Sequence, residues 1–353
     1  MKIMAVITQM TSGGAERVMA TLCNELAKRN EVRLIILKTG KMDYPVSERV
    51  TVRTGNIRHQ NMAASVRFLK REMKAWPADV ILSFMTKTNI ITLLAADREM
   101  RKRTVIAERA DPHNTKPIFR AMRRVLYPRA GGATFQTEDA RDYYRGIIRG
   151  KTAVLKNPLS PDFQVSPWQG ERSRRIVNAQ RLSGTKNHAL LIRAFERIAE
   201  DFPDYALEIY GEGPEKENLE KQAAASRYRS RIRLMGRMDR IQDRIRDAGL
   251  FVLPSDCEGM PNALIEAMAL GIPSIATDCP IGGCRVVVRD HENGLLVPVG
   301  DEERMAAAMR EILGDRALAE KLSENGTKIA EECSAETVCR EWEGFLKSIW
   351  ERQ

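Results

Sequence analysis

The stretch that decides the fold runs from 251 to 276 and reads Phe-Val-Leu-Pro-Ser-Asp-Cys-Glu-Gly-Met-Pro-Asn-Ala-Leu-Ile-Glu-Ala-Met-Ala-Leu-Gly-Ile-Pro-Ser-Ile-Ala. The apolar run at its start predicts a short strand, which Pro254 ends. Pro261 is typical of the first turn of a helix, and Gly271 ends that helix before the next strand. The stretch therefore predicts a strand–loop–helix–strand unit. In open parallel sheets, ligands bind where such loops leave the carboxyl ends of the strands.

Two carboxylates frame the start of this predicted helix. Glu258 precedes the helix, and Glu266 lies more than one turn inside it. The first N–H groups of a helix are unpaired and carry partial positive charge, so a phosphate can bind there. Because two acids would repel a diphosphate, we expect them to accept hydrogen bonds from sugar hydroxyls. The alternative, equally open at this point, is a solvated loop acid and an acid that complements the helix dipole.

The composition bounds the class of protein. The chain has 353 residues, of which 43% are hydrophobic and 29% charged, as is ordinary for a globular protein of two domains. No apolar run approaches the roughly 20 residues that cross a membrane, and residues 3–7 are too short for a signal-peptide core. We therefore expect a cytoplasmic protein. Six cysteines without a C-x-x-C pair, and only four histidines, give no zinc pattern, so we expect reduced, structural cysteines.

The net charge of +10 has a location. Residues 98–129 contain ten lysines or arginines against three acids. A basic surface attracts nucleic acid, an anionic membrane face or a phosphorylated substrate, but no nucleic-acid-binding motif supports the first of these. A merely solvated face is the alternative. One predicted helix of this segment, 118–127, has two kinds of side chain, the apolar Ile118, Met122, Val125 and Leu126 and the basic Arg120, Arg123 and Arg124.

Strand and helix patterns alternate along the chain in two series. The segment 157–170, rich in proline and glycine, separates them and is typical of an interdomain linker. We therefore predict domains at 1–163 and 171–334, each a doubly wound α/β domain around a parallel sheet, followed by a terminal helix within 335–353. Right-handed crossovers bring the strand-end loops of a sheet to one edge, and we expect the two edges to face each other across a cleft.

A glycine pair, Gly13 and Gly14, follows Ser12 between the first predicted strand and the first predicted helix. Glycine lets a backbone approach a ligand closely, and the start of a helix can face an anion. The pair belongs neither to a G-x-G-x-x-G motif nor to a Walker A motif. A plain tight turn is therefore an equally open interpretation.

Two cations are expected beside the Glu258 loop. Arg181 and Lys186 follow the first predicted strand of the second series, on a strand-end loop. Together they can neutralise a diphosphate, because arginine offers a fork of donors and lysine a point charge. No D-x-D pair occurs in the sequence, which disfavours a metal-bridged nucleotide and favours fixed cations that stabilise a departing diphosphate. The alternative is that both residues are ordinary surface cations.

These residues together resemble a known family. The chain is similar to the retaining glycosyltransferases of family 4, which have the GT-B fold of two Rossmann-like domains, and the resemblance covers nearly the whole chain. The matching motifs are Glu258–Glu266 for the family's E-x7-E, Arg181-Leu182 followed by Lys186-Asn187, the glycine pair within 12–17, Gly236-Arg237, and Asn293–Val297.

The resemblance implies a role for each matching residue. Glu258 would bind hydroxyls of the donor sugar, Glu266 would bind the ribose, and Arg181 and Lys186 would hold the diphosphate and stabilise it as it leaves. The backbone of Gly259, Met260, Pro261 and Asn262 would contact the sugar and phosphate. Gly236 and Arg237 would lie near the nucleobase. Gly13 and Gly14 would approach the phosphates from the other domain. The nucleotide sugar is a substrate, and neither metal nor cofactor is expected. The first domain would bind the acceptor, the second the donor, and the terminal helix would return to the first domain.

The chain departs from the family pattern in three places. Gln180 stands where many members carry glycine before Arg-Leu. Glu108 stands near the position of a common histidine, where it could orient or deprotonate the acceptor hydroxyl, whereas His113 is expected at the surface. The segment 282–285 reads Gly-Gly-Cys-Arg where Gly-Pro-x-Glu is common, which puts contacts near the donor in doubt.

A second set of motifs resembles that of bacterial enzymes that build cell-surface or polyprenyl-diphosphate-linked glycans, including N-acetylgalactosaminyltransferases. These motifs are Ser-Gly-Gly-Ala-Glu-Arg at 12–17, Ser83-Phe84 with Asn89, Glu108-Arg109, Glu-Gly-Met-Pro-Asn at 258–262 and Asp278-Cys279-Pro280. This resemblance implies retaining transfer of a hexose or N-acetylhexosamine from a UDP-sugar to a hydroxyl of such a glycan. The basic first domain suits an anionic lipid carrier, so we expect peripheral association with the inner face of the plasma membrane.

Three other functions stay open or are disfavoured. A sugar-nucleotide epimerase shares this architecture and would need no acceptor. A nucleic-acid-binding protein could use the basic face. An NAD(P)-dependent dehydrogenase is disfavoured because Gly211 and Gly213 lack a third glycine and do not open the first unit.

Overall fold

The computed structural model describes residues 1–11, 13–38, 40–57 and 61–352. The chain divides into two compact units, one formed by Met1–Ser160 with Ser334–Gln353 and the other by Pro161–Cys333. The division after Ser160 lies within the segment rich in proline and glycine.

The first unit is built on a seven-stranded parallel sheet with strand order β3-β2-β1-β4-β5-β6-β7. The inner strands 2–7, 80–84 and 104–107 are nearly continuous apolar runs because helices cover both faces of such a sheet, whereas the edge strand 50–57 is largely exposed. They are β1 (Lys2–Ile7), β2 (Glu31–Lys38), β3 (Val50–Ile57), β4 (Val80–Phe84), β5 (Thr104–Ala107), β6 (Gly132–Phe135) and β7 (Lys151–Val154).

Six helices of this unit lie between its strands, and a seventh lies at the end of the described sequence. They are α1 (Gly14–Leu26), α2 (Met62–Ala75), α3 (Thr86–Ala95), α4 (Arg98–Lys102), α5 (Pro117–Leu126), α6 (Glu138–Tyr143) and, at the end of the sequence, α14 (Ala335–Trp350). Two helices, α3 and α4, lie between β4 and β5, because Ala96 is extended and Asp97 begins a new helix. The Asp97 carboxylate accepts a hydrogen bond from the Met100 N–H, which is the usual way that an aspartate starts a helix.

The second unit has a six-stranded parallel sheet with order β10-β9-β8-β11-β12-β13. Its strands are β8 (Ser173–Ala179), β9 (Ala206–Tyr210), β10 (Ile232–Gly236), β11 (Ala248–Leu253), β12 (Ser274–Thr277) and β13 (Leu295–Val297). Its helices are α7 (His188–Ile198), α8 (Lys216–Ala225), α9 (Ile241–Ile245), α10 (Asn262–Ala269), α11 (Glu302–Gly314), α12 (Arg316–Thr327) and α13 (Ile329–Glu332). The predicted fold class, two Rossmann-like domains that are each built on a parallel sheet, is confirmed.

The strand order of each sheet shows where its candidate ligand-binding loop lies. Each sheet reverses its order at one strand, β1 in the first unit and β8 in the second, because each of these pairs with the strands that follow on both sides. Crevices at the carboxyl ends of such strands are the usual ligand sites of doubly wound sheets. The loop after β1 carries the glycine pair, and the loop after β8 carries Arg181 and Lys186.

The basic helix α5 does not simply bury its apolar side chains and expose its basic ones. Arg123 is only 2% exposed, whereas the apolar Ile118 and Val125 are 62% and 59% exposed. The Arg123 guanidinium donates to the Pro112 carbonyl and lies over the Tyr144 ring, which compensates for its burial. The helix therefore presents apolar side chains outward beside the exposed Arg120 and Arg124.

No helix among the described residues is both long enough and apolar enough to cross a bilayer.

The terminal helix α14 belongs to the core of the first unit. Its apolar residues are all buried; they are Val338, Trp342, Phe345, Leu346 and Ile349. The Trp342 ring lies 5.7 Å from the Phe84 ring at the end of β4, and its indole N–H donates to the Lys156 carbonyl. The apolar stripe of this helix therefore covers the sheet together with α1.

We expect the Trp342→Ala variant to lose about 3–5 kcal/mol of unfolding free energy, because truncating a buried tryptophan removes apolar burial and leaves a cavity. Urea unfolding followed by circular dichroism measures the change. Trp350→Ala, on the partly exposed end of the same helix, is the matched control and should change stability by about 0.5 kcal/mol or less. Equal losses in the two variants would contradict the role of α14 in this core.

Candidate functional site

The candidate site of the second unit lies at the carboxyl ends of two neighbouring strands. β8 and β11 pair in parallel, with Val177 opposite Phe251, so the loops after them leave the sheet side by side. The Asp256 N–H donates to the Thr185 carbonyl at 2.9 Å, and the Asn187 amide donates to the Asp256 carboxylate at 2.7 Å. These hydrogen bonds hold the two loops together.

Glu258 is the best-anchored side chain at this edge. It is only 8% exposed. One of its oxygens, Oε1, accepts three hydrogen bonds, from Lys186 Nζ at 2.6 Å, Gln180 Nε2 at 2.8 Å and Ser255 Oγ at 2.8 Å. The other oxygen, Oε2, accepts none from the part of the chain that the structure describes. The carboxylate is therefore fixed at one oxygen and has acceptor capacity left at the other.

Lys186 forms an ion pair with Glu258 in a partly buried position, with its side chain 22% exposed. It ends the short 3-10 turn Gly184–Lys186, and the next residue, Asn187, adopts a left-handed backbone with φ 46°. Asn187 then caps α7 by accepting from the Leu190 N–H. Because an ammonium group has three donors, Lys186 can bind an anion while it holds Glu258.

Arg181 lies two residues after β8 and is exposed. Its guanidinium has no hydrogen bond or ion pair with the residues described in 1–11, 13–38, 40–57 and 61–352. All five of its N–H donors are thus available to a ligand.

The second carboxylate of the motif, Glu266, lies inside α10 and is buried. The helix begins at Asn262, one residue later than expected, and Pro261 is the residue that precedes it. Met260 is also buried, whereas Gly259 is half-buried.

A close backbone approach fixes the Glu258 loop from its other side. A side chain at Gly283 would overlap the carbonyl oxygens of Glu258 and Gly259, so only glycine fits there. This contact belongs to the segment that departs from the family pattern, and sequence reasoning did not assign it. Ser255 and Gln180 were likewise missed as partners of Glu258; their signal was their position at the ends of adjacent strands.

Gly236 and Arg237 lie at the end of β10, two strands away from β8. Gly236 has a φ of 70°, a conformation that favours glycine, and its carbonyl accepts from the Gly211 N–H at 2.9 Å. Arg237 is exposed.

In the first unit, the predicted glycine pair starts α1, while Ser12 lies outside the described residues. Gly13 precedes the helix in an extended conformation and Gly14 is its first residue. The Glu16 carboxylate folds back against Gly13, where any side chain would collide with it. An acid of the chain itself thus complements the electropositive end of this helix.

Glu108 follows β5 and is buried among neutral donors. Its Oε2 accepts from Thr86 Oγ1 at 2.8 Å, and its Oε1 accepts from the Tyr127 hydroxyl and from Asn89 Nδ2. Burial raises the pKa of this carboxyl, although the Tyr127 hydrogen bond and the nearby Arg123 charge oppose the shift. The group is therefore a stronger base than an exposed glutamate when it is ionised.

The neighbouring side chains differ in exposure. Arg109 lies over the Phe84 ring and donates to Asn157, and burial lowers its pKa to about 9. His113 is exposed, as predicted, with Nδ1 2.9 Å from the Asp111 carboxylate.

The structure thus brings Lys186 and Glu258 into direct contact, with Arg181 on the same loop as Lys186. Glu108, Gly13 and Gly14 belong to the other unit. Within the described ranges, no group of three or more histidines, cysteines or acids is arranged to hold a metal ion.

Comparisons with known proteins agree with this division. Residues 12–163 match the family model described as Glycosyltransferase Family 4, and residues 163–329 match the one described as Glycosyl transferases group 1.

Two relatives are enzymes of Campylobacter jejuni. One is an alpha-1,4-N-acetyl-D-galactosaminyltransferase whose name specifies a diNAcBac-PP-undecaprenol-linked GalNAc disaccharide; it is 26% identical and covers 99% of each chain. The other is N-acetylgalactosamine-N,N'-diacetylbacillosaminyl-diphospho-undecaprenol 4-alpha-N-acetylgalactosaminyltransferase, which is 27% identical over 90% of this chain and 91% of its own.

A solved structure has the same fold. HepE of Anabaena, determined in complex with UDP, superposes with a TM-score of 0.80 at 17% identity and covers 99% of this chain and 100% of its own. The chain is therefore a glycosyltransferase that joins a family 4 domain to a group 1 domain.

Proposed function

We propose that the protein transfers a sugar, with retention of anomeric configuration, from a UDP-sugar to a hydroxyl of a lipid-linked or cell-surface glycan. The observation that carries the proposal is the Lys186–Glu258 contact at the paired ends of β8 and β11, with Glu258 Oε2 left as an acceptor. A cation for a diphosphate and an acceptor for a sugar hydroxyl lie next to each other there. The donor nucleotide is supported by the UDP complex of HepE, and an N-acetylhexosamine by the two Campylobacter relatives.

In the proposed reaction, the bond between the anomeric carbon and the diphosphate oxygen breaks. The acceptor oxygen forms its bond to the same carbon from the same face, and an oxygen of the departing diphosphate helps to take up its proton. Lys186 and Arg181 stabilise the negative charge on that diphosphate, and Glu258 holds the sugar through its hydroxyls. The backbone of Gly259–Asn262 and the Glu266 carboxylate would contact the rest of the donor, Gly236 and Arg237 the base, and Gly13 and Gly14 the phosphates.

The same proposal gives the cations the role that a metal ion plays in other transferases. Arg181 has free donors, and Lys186 has donors beyond the one that faces Glu258. Two permanent positive charges balance much of the negative charge that develops on a leaving diphosphate.

We expect Glu258→Ala and Lys186→Ala each to lower the transfer rate by about 100-fold or more, because each removes a group that contacts the donor. Lys186→Ala would also leave Glu258 buried without its cation. Transfer from a panel of UDP-sugars, measured as UDP release with an undecaprenyl-diphosphate-linked acceptor, tests this, and the wild-type rate should be the same in EDTA.

The matched control for these variants is Lys221→Ala, an exposed lysine on α8 that pairs only with Glu217 in the described chain. Normal turnover by Glu258→Ala, or a rate that collapses in EDTA, would refute the assigned roles. Conversion of the UDP-sugar into an isomer without acceptor would identify an epimerase instead.

We propose that Glu108 orients or deprotonates the acceptor hydroxyl. Its raised pKa supports this role, since a stronger base takes up a proton more readily. Thr86, Asn89 and Tyr127, which donate to it, would fix its direction.

The Glu108→Gln variant separates chemistry from folding. A carboxyl whose pKa is raised by folding destabilises the native state progressively as the pH rises above its pKa in the unfolded chain, about 4.5 for glutamate. The neutral amide lacks this penalty, so we expect the variant to be as stable as the wild type at pH 4 and at least as stable at pH 7, yet slower in transfer by about 100-fold. Thermal melts at both pH values and the UDP-release assay measure the two effects. Full activity would remove Glu108 from the mechanism.

We propose further that α5 docks on an anionic membrane face. Ile118 and Val125 project from it beside the exposed Lys116, Arg120 and Arg124. Apolar side chains that enter the interface, ringed by cations that attract anionic headgroups, are the features of peripheral membrane helices. The lipid-linked acceptors named for the Campylobacter relatives agree with such a location.

The double variant Ile118→Glu/Val125→Glu should bind vesicles of phosphatidylglycerol and phosphatidylcholine about tenfold more weakly, because it loses apolar burial and gains repulsion. Vesicle co-sedimentation measures binding. Val165→Glu, a similarly exposed valine of the second unit, is the control. Unchanged sedimentation of the double variant would contradict docking through α5.

A further inference from the structure

A chain of hydrogen bonds runs beneath Glu258 and ends at a buried histidine. His188 Nε2 lies 2.9 Å from Asn178 Oδ1. Asn178 Nδ2 donates to the Val252 carbonyl at 2.8 Å and to Gln180 Oε1 at 3.2 Å. Gln180 Nε2 in turn donates to Glu258 Oε1.

The direction of every bond in this chain is determined. A carbonyl and a carboxylate can only accept, so Asn178 must point its amide nitrogen at Val252 and Gln180 must point its own at Glu258. Asn178 Oδ1 therefore faces His188, which must donate from Nε2. Burial, with a contribution from the Lys186 charge, lowers the pKa of His188 to about 4, so the ring stays neutral at ordinary pH.

The backbone of Gln180 is fixed as well as its side chain. The Gln180 N–H donates to the Tyr210 carbonyl. The Gln180 carbonyl lies so close to Gly211 that position 211 has no room for a side chain. The amide therefore reaches Glu258 from a rigid strand end rather than from a mobile loop. A residue without a side chain at 180 would leave Lys186 and Ser255 as the donors to Oε1.

We infer that Gln180 is a positioning residue for Glu258. Its amide holds Oε1 of the carboxylate so that Oε2 accepts a hydrogen bond from one particular hydroxyl of the donor sugar. This inference rests on the proposed function. Lys186 supplies charge from a flexible stem, whereas the Gln180 amide supplies a direction set by Asn178 and His188. Gln180 thereby contributes to sugar selectivity and not to nucleotide affinity.

The test compares Gln180→Gly and Gln180→Ala with the wild type against UDP alone and against a panel of UDP-sugars. We expect the affinity for UDP to stay within about twofold. The value of kcat/KM for the preferred sugar should fall about 10- to 100-fold, because one hydrogen bond to a charged group is lost and the carboxylate loses its orientation. The ratio of kcat/KM between UDP-sugars that differ at one hydroxyl should become smaller than in the wild type.

Gln222→Ala is the matched control, since its amide also donates one hydrogen bond in the second unit, to the Ala189 carbonyl, outside the Glu258 chain. It should leave sugar preference unchanged. Gln180 variants with wild-type kcat/KM and wild-type preference would overturn the inference while leaving the transferase proposal intact. A wild-type protein that binds no nucleotide sugar would instead refute the proposed function.

The Gln180→Glu variant adds a second measurement, the pH dependence of activity, which a purely structural role of residue 180 would not change. When protonated, the new carboxyl can donate to Glu258 as the amide does; when ionised, it repels Glu258. In the described part of the chain, the titratable groups around Glu258 include Lys186, His188, Cys279 and Cys284. We expect the activity of this variant relative to the wild type to fall as the pH rises from about 5 to about 8. A ratio that is flat across this range would contradict positioning by hydrogen bonding.

Discussion

The ion pair between Lys186 and Glu258 is the interaction on which the second unit's site depends. A nearly buried carboxylate is costly unless a charge and hydrogen bonds compensate for the water that it loses. The ammonium group of Lys186 and the neutral donors of Gln180 and Ser255 supply that compensation at a single oxygen. The compensation is therefore asymmetric, and the asymmetry leaves an anchored carboxylate with an unused acceptor at a sheet edge.

Parallel pairing makes this arrangement possible. Gln180 and Glu258 are 78 positions apart in the sequence, yet the register of β8 with β11 brings their loops together. The loop after β12 then fixes the Glu258 loop from another side, because Gly283 allows its backbone to touch the Glu258 and Gly259 carbonyls. Two strand-end loops thus hold the Glu258 carboxylate and a third supports the backbone of its loop, and the sheet makes their relative positions rigid.

The two units bury acids by different means. Glu108 of the first unit is surrounded by hydroxyl and amide donors, and its pKa is raised because burial outweighs them. Glu258 of the second unit has a cation in direct contact. A carboxyl among neutral donors suits proton transfer, whereas one paired with an ammonium suits steady recognition of hydroxyls. This difference matches the roles that we propose, with Glu108 acting on the acceptor and Glu258 on the donor.

The sequence by itself determined the alternation of strands and helices, the two-domain parallel fold and the helix at the end of the chain, because hydrophobic periodicity and turn residues act over short distances. It also indicated Lys186 and Glu258 as chemically suited residues at strand ends. Only the tertiary structure decided that Gln180 and Ser255 converge on one oxygen of Glu258, that Glu16 lies against Gly13, and that Arg123 is buried while Ile118 is exposed. Each of these depends on contacts between side chains whose distance and direction are set by packing and strand register, which no local pattern in the sequence records.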